Sequence, residues 1–106
     1  MPEIREGNDI VTQITTVKVP KENQAEALQL MEERARYMAK QPGFVSVSLH
    51  QSEDGGHIVN YVQWTNRQKL EAAHHSAEFR KQWPRFGELI EEAEPCLYRV
   101  AHVEAA

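Results

Sequence analysis

The sequence predicts an α+β domain in the order β-α-β-β-α-β, with one antiparallel sheet and its helices on one face. Three observations predict it. Runs rich in Ile, Val and Thr at 10–19 and 44–64 have strand character, the second broken by a glycine turn. Apolar residues between these runs, and again between 79 and 90, recur at helical spacing. A turn or cap signal stands at each joint, so local and global preferences agree.

The first element runs from Ile10 to Val19, and Pro20 ends it. Asn23 followed by Glu26 has capping-box character. Leu28, Met31, Ala35 and Met38 then form an apolar stripe, with Glu32, Glu33, Arg36 and Lys40 facing outward. Pro42-Gly43 stops this helix. Phe44 to Gln51 alternates strictly, Glu53-Asp54-Gly55-Gly56 is a hairpin signal, and His57 to Trp64 is the partner strand. Thr65 with Gln68 resembles a second capping box before a helix that reaches His75. Ser76 caps a further segment whose stripe is Phe79, Trp83, Phe86 and Ile90, and Pro84 should kink it or start a new helix. Pro95 is expected to end the helical region, leaving Cys96 to Val103 as the last strand. This order is the ferredoxin-like split βαβ pattern.

The length of 106 residues suits one domain. Residues 1–9 are polar and expected to be a flexible segment, with 10–106 as the single domain. Lys and Arg number 12 against 16 Asp and Glu, a net charge of −4, which is a poor match for nucleic acid. One cysteine, Cys96, gives neither a disulfide framework nor a cysteine zinc site; it is expected to be a small buried hydrophobe. The first twenty residues hold no apolar run, so the expected place is the cytoplasm, with no membrane span. His74-His75 is the only histidine pair; adjacent helical positions diverge by ~100° and cannot both face one ion, so no metal is expected. Glu88, Glu91, Glu92 and Glu94 read as the solvated end of a helix.

The hairpin turn sets a register. Leu49 lies opposite Asn60, Val47 opposite Val62, and Val45 opposite Trp64. Ile58, Asn60, Val62 and Trp64 then share the apolar face that the helices cover. An amide and an indole thus stand on one greasy wall, ~13 Å apart along the strand at the usual rise. A buried amide without partners costs roughly 1–3 kcal/mol. Two polar handles on such a wall suggest a ligand cavity. The opposite face is expected to carry Phe44, Val59, Tyr61 and Tyr98, enough aromatic area to favour a homodimer through sheet packing.

Ile58-Val59-Asn60-Tyr61-Val62-Gln63-Trp64, entered from Asp54-Gly55-Gly56 and followed by Thr65-Asn66-Arg67-Gln68, resembles the antibiotic biosynthesis monooxygenase family. Pro42-Gly43-Phe44 and Ser76-Ala77-Glu78-Phe79-Arg80 match as well, and the resemblance runs from Val11 to Val103. It implies a dimeric α+β barrel that oxidises phenolic, hydroquinone or anthrone-like aromatics to quinones. The reaction uses molecular oxygen, without metal, flavin or other cofactor. Asn60 and Trp64 match the family's catalytic asparagine and tryptophan, and Arg80 matches a basic residue of the cavity wall. His74, His75, Phe79 and Trp83 complete the substrate-binding candidates. A pocket tyrosine of the quinone-forming members is replaced by Leu70 here, leaving His74 or His75 as the proton acceptor. Haem-degrading relatives need a histidine and an asparagine where Trp83 and Thr15 or Thr16 stand, so haem is not expected. The alternative reading is a non-catalytic small-molecule-binding or stress-response dimer on the same scaffold.

Overall fold

Period-2 alternation sends one row of each strand toward the helices and the other away from them. The computed structural model describes residues 1–81 and 83–106. The elements are β1 (Val11–Lys18), α1 (Gln24–Met38), β2 (Phe44–Gln51), β3 (His57–Trp64), α2 (Arg67–His74), α3 (Ala77–Arg80), α4 (Trp83–Leu89) and β4 (Glu92–Tyr98). A short 3-10 turn, Lys21–Asn23, leads into α1. Among the described residues the strands form one antiparallel sheet in the order β2-β3-β1-β4, with the helices on one face. This is the ferredoxin-like arrangement that the sequence predicts.

The inward row of β3 is Ile58, Asn60, Val62 and Trp64, and its partners on β1 are Val17, Thr15, Gln13 and Val11. Ile58, Val62, Val17 and Trp64 lose all or nearly all their exposure. Each such side chain stabilises the fold by roughly 1.5–3 kcal/mol. The Thr15–Asn60 pair interrupts this wall, and the core divides there. One cluster joins Val17, Val19, Ala27, Met31, Ile58, Phe86 and Leu89. The other joins Met38, Val62, Trp64, Leu70, Ala73 and Phe79.

The hairpin keeps the expected register from Gln51↔Ile58 through Leu49↔Asn60 and Val47↔Val62 to Ser46↔Gln63. It then breaks. A bulge between Phe44 and Ser46 pairs Phe44, not Val45, with Trp64. The extra residue reverses the alternation, so Phe44 leaves the expected outer face and meets the Trp64 ring edge-on, centroids 5.7 Å apart. Gly43 enters this strand at φ +83, and a Cβ there would run into the Lys69 side chain.

Several local expectations shift. Asn23 does not close a capping box; its Nδ2 donates to the Leu89 carbonyl at 3.0 Å, tying the start of α1 to the end of α4. The cap of α2 is Asn66, not Thr65, and its Oδ1 accepts from the Lys69 N–H at 3.0 Å. Ser76 caps α3 as expected, accepting from the Phe79 N–H. The region around Pro84 divides into α3 and α4, with Pro84 in the first turn of the latter, where its missing N–H costs little.

The last strand begins at Glu92, so Pro95 lies inside β4 instead of ahead of it. An edge strand tolerates proline because one side of its ladder is unpaired. Glu92 and Glu94 therefore decorate a sheet edge, not a helix end, and Glu91 pairs with Lys18 at 3.5 Å. Cys96 is exposed on this strand, contrary to the buried position expected for it. At the other end of the chain, the Glu3 backbone lies across the outer face and bonds Gln63 at 2.7 Å and 3.0 Å.

Candidate active site

Between the two core clusters lies a cavity of about 330 Å³. Its floor is the interrupted wall: Gln13, Thr15 and Val17 from β1, Asn60 from β3, and Ala93 and Pro95 from β4. Its roof comes from the helices. Met31, Arg34 and Met38 descend from α1 at spacings of one and then one further turn, which puts all three on one face. His74 is the last residue of α2. Phe79, Trp83 and Phe86 come from α3 and α4 and form a chain of edge-to-face rings with centroids 6.0 Å apart at each step.

The expected site residues separate into three groups. Asn60, His74, Phe79 and Trp83 line the cavity together. Trp64 stands behind its wall. It is fully buried, in the cluster that holds the cavity residues Met38 and Phe79. His75 and Arg80 lie outside, on a shallow surface depression with Glu78 and Lys81. The reason is helical geometry: each follows a cavity residue, His74 or Phe79, and one step turns a side chain by ~100°.

Two of these residues hold polar atoms that nothing satisfies. Asn60 Oδ1 and Trp64 Nε1 are both buried without a hydrogen-bond partner. Each such atom costs about 1–3 kcal/mol relative to a paired one. The rest of that β3 row, Ile58 and Val62, is apolar.

Arg34, Gln13 and Thr15 are polar cavity residues that the sequence did not mark as candidates. The Arg34 guanidinium lies over three rings, 4.4 Å from the centroid of Phe79, 4.5 Å from that of Trp83 and 5.2 Å from that of Phe86. Burial pulls its pKa down to about 10, so it stays charged at neutral pH. One signal was available. Ala27, Met31, Arg34 and Met38 follow an apolar seam spacing, and a cation in such a seam is out of place on a merely structural helix.

His74 stacks on Phe79, ring centroids 4.7 Å apart and planes 22° from parallel. Burial first, then the charge of Arg34 and the neighbouring His75, hold its pKa below the ordinary imidazole range. At neutral pH the cavity therefore presents a neutral imidazole beside a cation, the form that can accept a proton. Among the described residues no group of three or more His, Cys, Asp or Glu is gathered in metal-binding fashion, and no helix is long and apolar enough to cross a membrane.

Residues 10–82 match the sequence profile described as antibiotic biosynthesis monooxygenase. The tetracenomycin-F1 monooxygenase of Streptomyces glaucescens is 36% identical over 78 residues, covering 70% of this chain and 67% of that protein. Among solved structures, SnoaB, a cofactor-independent oxygenase from Streptomyces nogalater, superposes with a TM-score of 0.81 at 24% identity, covering 90% of this chain and 96% of the other. A putative antibiotic biosynthesis monooxygenase from Nitrosomonas europaea has the same TM-score at 14% identity, covering 91% and 94%. At these identities the structural matches speak for the fold.

Proposed function

The chain belongs to the antibiotic biosynthesis monooxygenase family, and from that premise we propose that it is a cofactor-independent monooxygenase converting a phenolic, hydroquinone or anthrone-like aromatic to a quinone with molecular oxygen. The observation that carries the reading is the unsatisfied Asn60 Oδ1 at an aromatic-walled cavity, with the unsatisfied Trp64 N–H on the same strand face. Asn60 lines the cavity, so a ligand hydroxyl bound there can meet its side-chain amide. The curated relative is named for a reaction of the same class, a monooxygenation.

The chemistry divides between substrate and protein. An electron-rich aromatic supplies its own reducing power, so the protein must bind, orient and exclude water. His74 takes the acidic proton of the substrate, for which its neutral form is suited. The resulting anion passes one electron to oxygen, and the radical pair joins to form a carbon-bound peroxide. Protonation and loss of water then leave a carbonyl. One oxygen atom ends in the quinone and the other in water; an anthrone methylene thereby gives up two hydrogens and four electrons. Asn60 can accept a hydroxyl proton through Oδ1 or donate to a developing oxyanion through its amino group. Phe79, Trp83 and Phe86 supply ring surface against the substrate.

The decisive measurement is oxygen consumption, with the accompanying visible absorbance change, across a panel of hydroquinones and anthrones. Stoichiometric uptake with quinone formation is expected. Absence of uptake with every member, by a folded protein that still binds them, would leave the alternative of a binding module. The outer sheet face, with Val59, Tyr61 and the half-exposed Tyr98, is the surface we assign to a second copy of the chain. Sedimentation at micromolar concentration should give a dimer, and a particle of one chain's mass would refute that assignment.

A further inference from the structure

We propose that Arg34 is a specificity-determining residue that makes this cavity select an aromatic anion, a ring bearing a carboxylate or an ionised phenol, over its neutral counterpart. The inference rests on the cavity being the substrate site, as read above.

Three features place a charge here without an answer to it. The guanidinium is held over three ring faces of α3 and α4, which attract a cation and fix its position without cancelling its charge. No ion pair found among the described residues includes Arg34, and burial is the one cause that shifts its pKa. The other polar side chains of the lining, Gln13, Thr15, Asn60 and His74, carry no negative charge. The cavity as a whole is therefore positive inside a chain whose net charge is −4. A cation taken out of water is costly unless paired, and the missing partner in this enclosure can be supplied by the ligand.

Arginine is suited to that task, since its planar fork holds a carboxylate or phenolate through charge-assisted hydrogen bonds. The apolar lining around it, Met31, Met38 and Phe86, is suited to the ring that carries the anion. The same positive field that disfavours a proton on His74 favours the deprotonated form of a bound phenol. Arg34 would thus act on recognition and on the ionisation that starts the reaction.

Two matched probe pairs test this by calorimetry, with no turnover required. One pair is 2-naphthoate and 2-naphthamide; the other is 2,4-dinitro-1-naphthol, ionised at neutral pH, and its methyl ether. The wild-type protein should bind at least one anion roughly ten- to a hundredfold more tightly than its neutral partner. A preference confined to the naphthoate pair assigns Arg34 to a substrate acid group, and one confined to the naphthol pair assigns it to the reacting oxygen. Arg34→Met keeps the length and apolar contact of the side chain, and it should bring the preferred pair to near parity. Arg34→Lys should keep part of the preference. Parity of both pairs in the wild-type protein, failure of both anions to bind, or a preference that survives Arg34→Met overturns the proposal. The wild-type ratios can do so whether or not the variant folds. Anion preference without oxygen uptake would end the monooxygenase reading and leave the anion site standing; uptake with parity of both pairs would do the reverse.

Discussion

Gln63 and Asn60 are both amides of β3, one on each face of the sheet, and the fold treats them in opposite ways. Gln63 is fully buried, and its amide is saturated. Its Oε1 accepts from the Glu3 N–H at 2.7 Å, and its Nε2 donates to the Glu3 carbonyl and to Thr12 Oγ1, both at 3.0 Å. Asn60 faces the helices with its Oδ1 buried and unpartnered. On the outer face the chain brings its own N-terminal backbone to meet the amide. On the inner face it leaves one unmet in the wall of a cavity. A buried amide that the fold satisfies is a structural clasp, whereas one that it leaves open is stabilised only when something else arrives.

The largest expected effect tests the open amide. Asn60→Ala should lower turnover by about 10²–10³, the cost of one donor to a developing oxyanion. Thermal unfolding should be unchanged or slightly raised, because an unsatisfied buried atom is removed. Gln63→Ala should do the opposite. It leaves Glu3 and Thr12 without their partner and should cost about 1–3 kcal/mol in denaturant unfolding, with turnover within a few-fold of wild type. Equal loss of turnover in both variants would break the comparison.

Trp64→Phe sharpens it. The substitution keeps a ring in the cluster and deletes the unsatisfied N–H, so packing and hydrogen bonding separate. If that N–H serves the reaction through the wall, turnover should fall about tenfold, the worth of one hydrogen bond. An unchanged rate would place Trp64 with Gln63 as structure.

The smallest effect concerns two neighbours, His74 in the cavity and His75 outside it. A base must be unprotonated, and Arg34 and burial favour that form of His74, so the acid limb of the rate profile should lie below the ordinary imidazole range. Arg34→Met removes a cation and should move that limb to higher pH. His74→Gln should abolish it. His75→Gln should leave it in place with only a slight upward move, since His75 is the last-ranked cause of the shift. Stopped-flow oxygen uptake against pH distinguishes the three.

Much of this was legible along the chain. Alternation in 44–51 and 57–64, with glycines in the turn, was enough to put Asn60 opposite Leu49 on the covered face. The register failed at the far end because a bulge has no period of its own. It is Phe44, not Val45, that pairs with Trp64 and meets the indole edge-on. Asn23 looked like a cap, but a side chain with a better partner in a distant helix does not cap locally. Pro95 looked like a terminator, a rule that holds for helices and interior strands but not for an edge. Arg34 was hidden because an arginine on a helix ordinarily faces water.

The sequence by itself determined the order of elements, the split of the hairpin strands into two faces up to the bulge at Phe44, and the presence of an amide and an indole on the inner one. These are local consequences of period, turn chemistry and β-branching, readable within a few residues. Only the tertiary structure decided that His74 and not His75 enters the cavity, that Arg34 is caged by rings from α3 and α4, and that Gln63 is satisfied while Asn60 is not. Each of those outcomes depends on which distant groups arrive at a side chain, and so on how helices and strands far apart in the chain settle against one another in three dimensions.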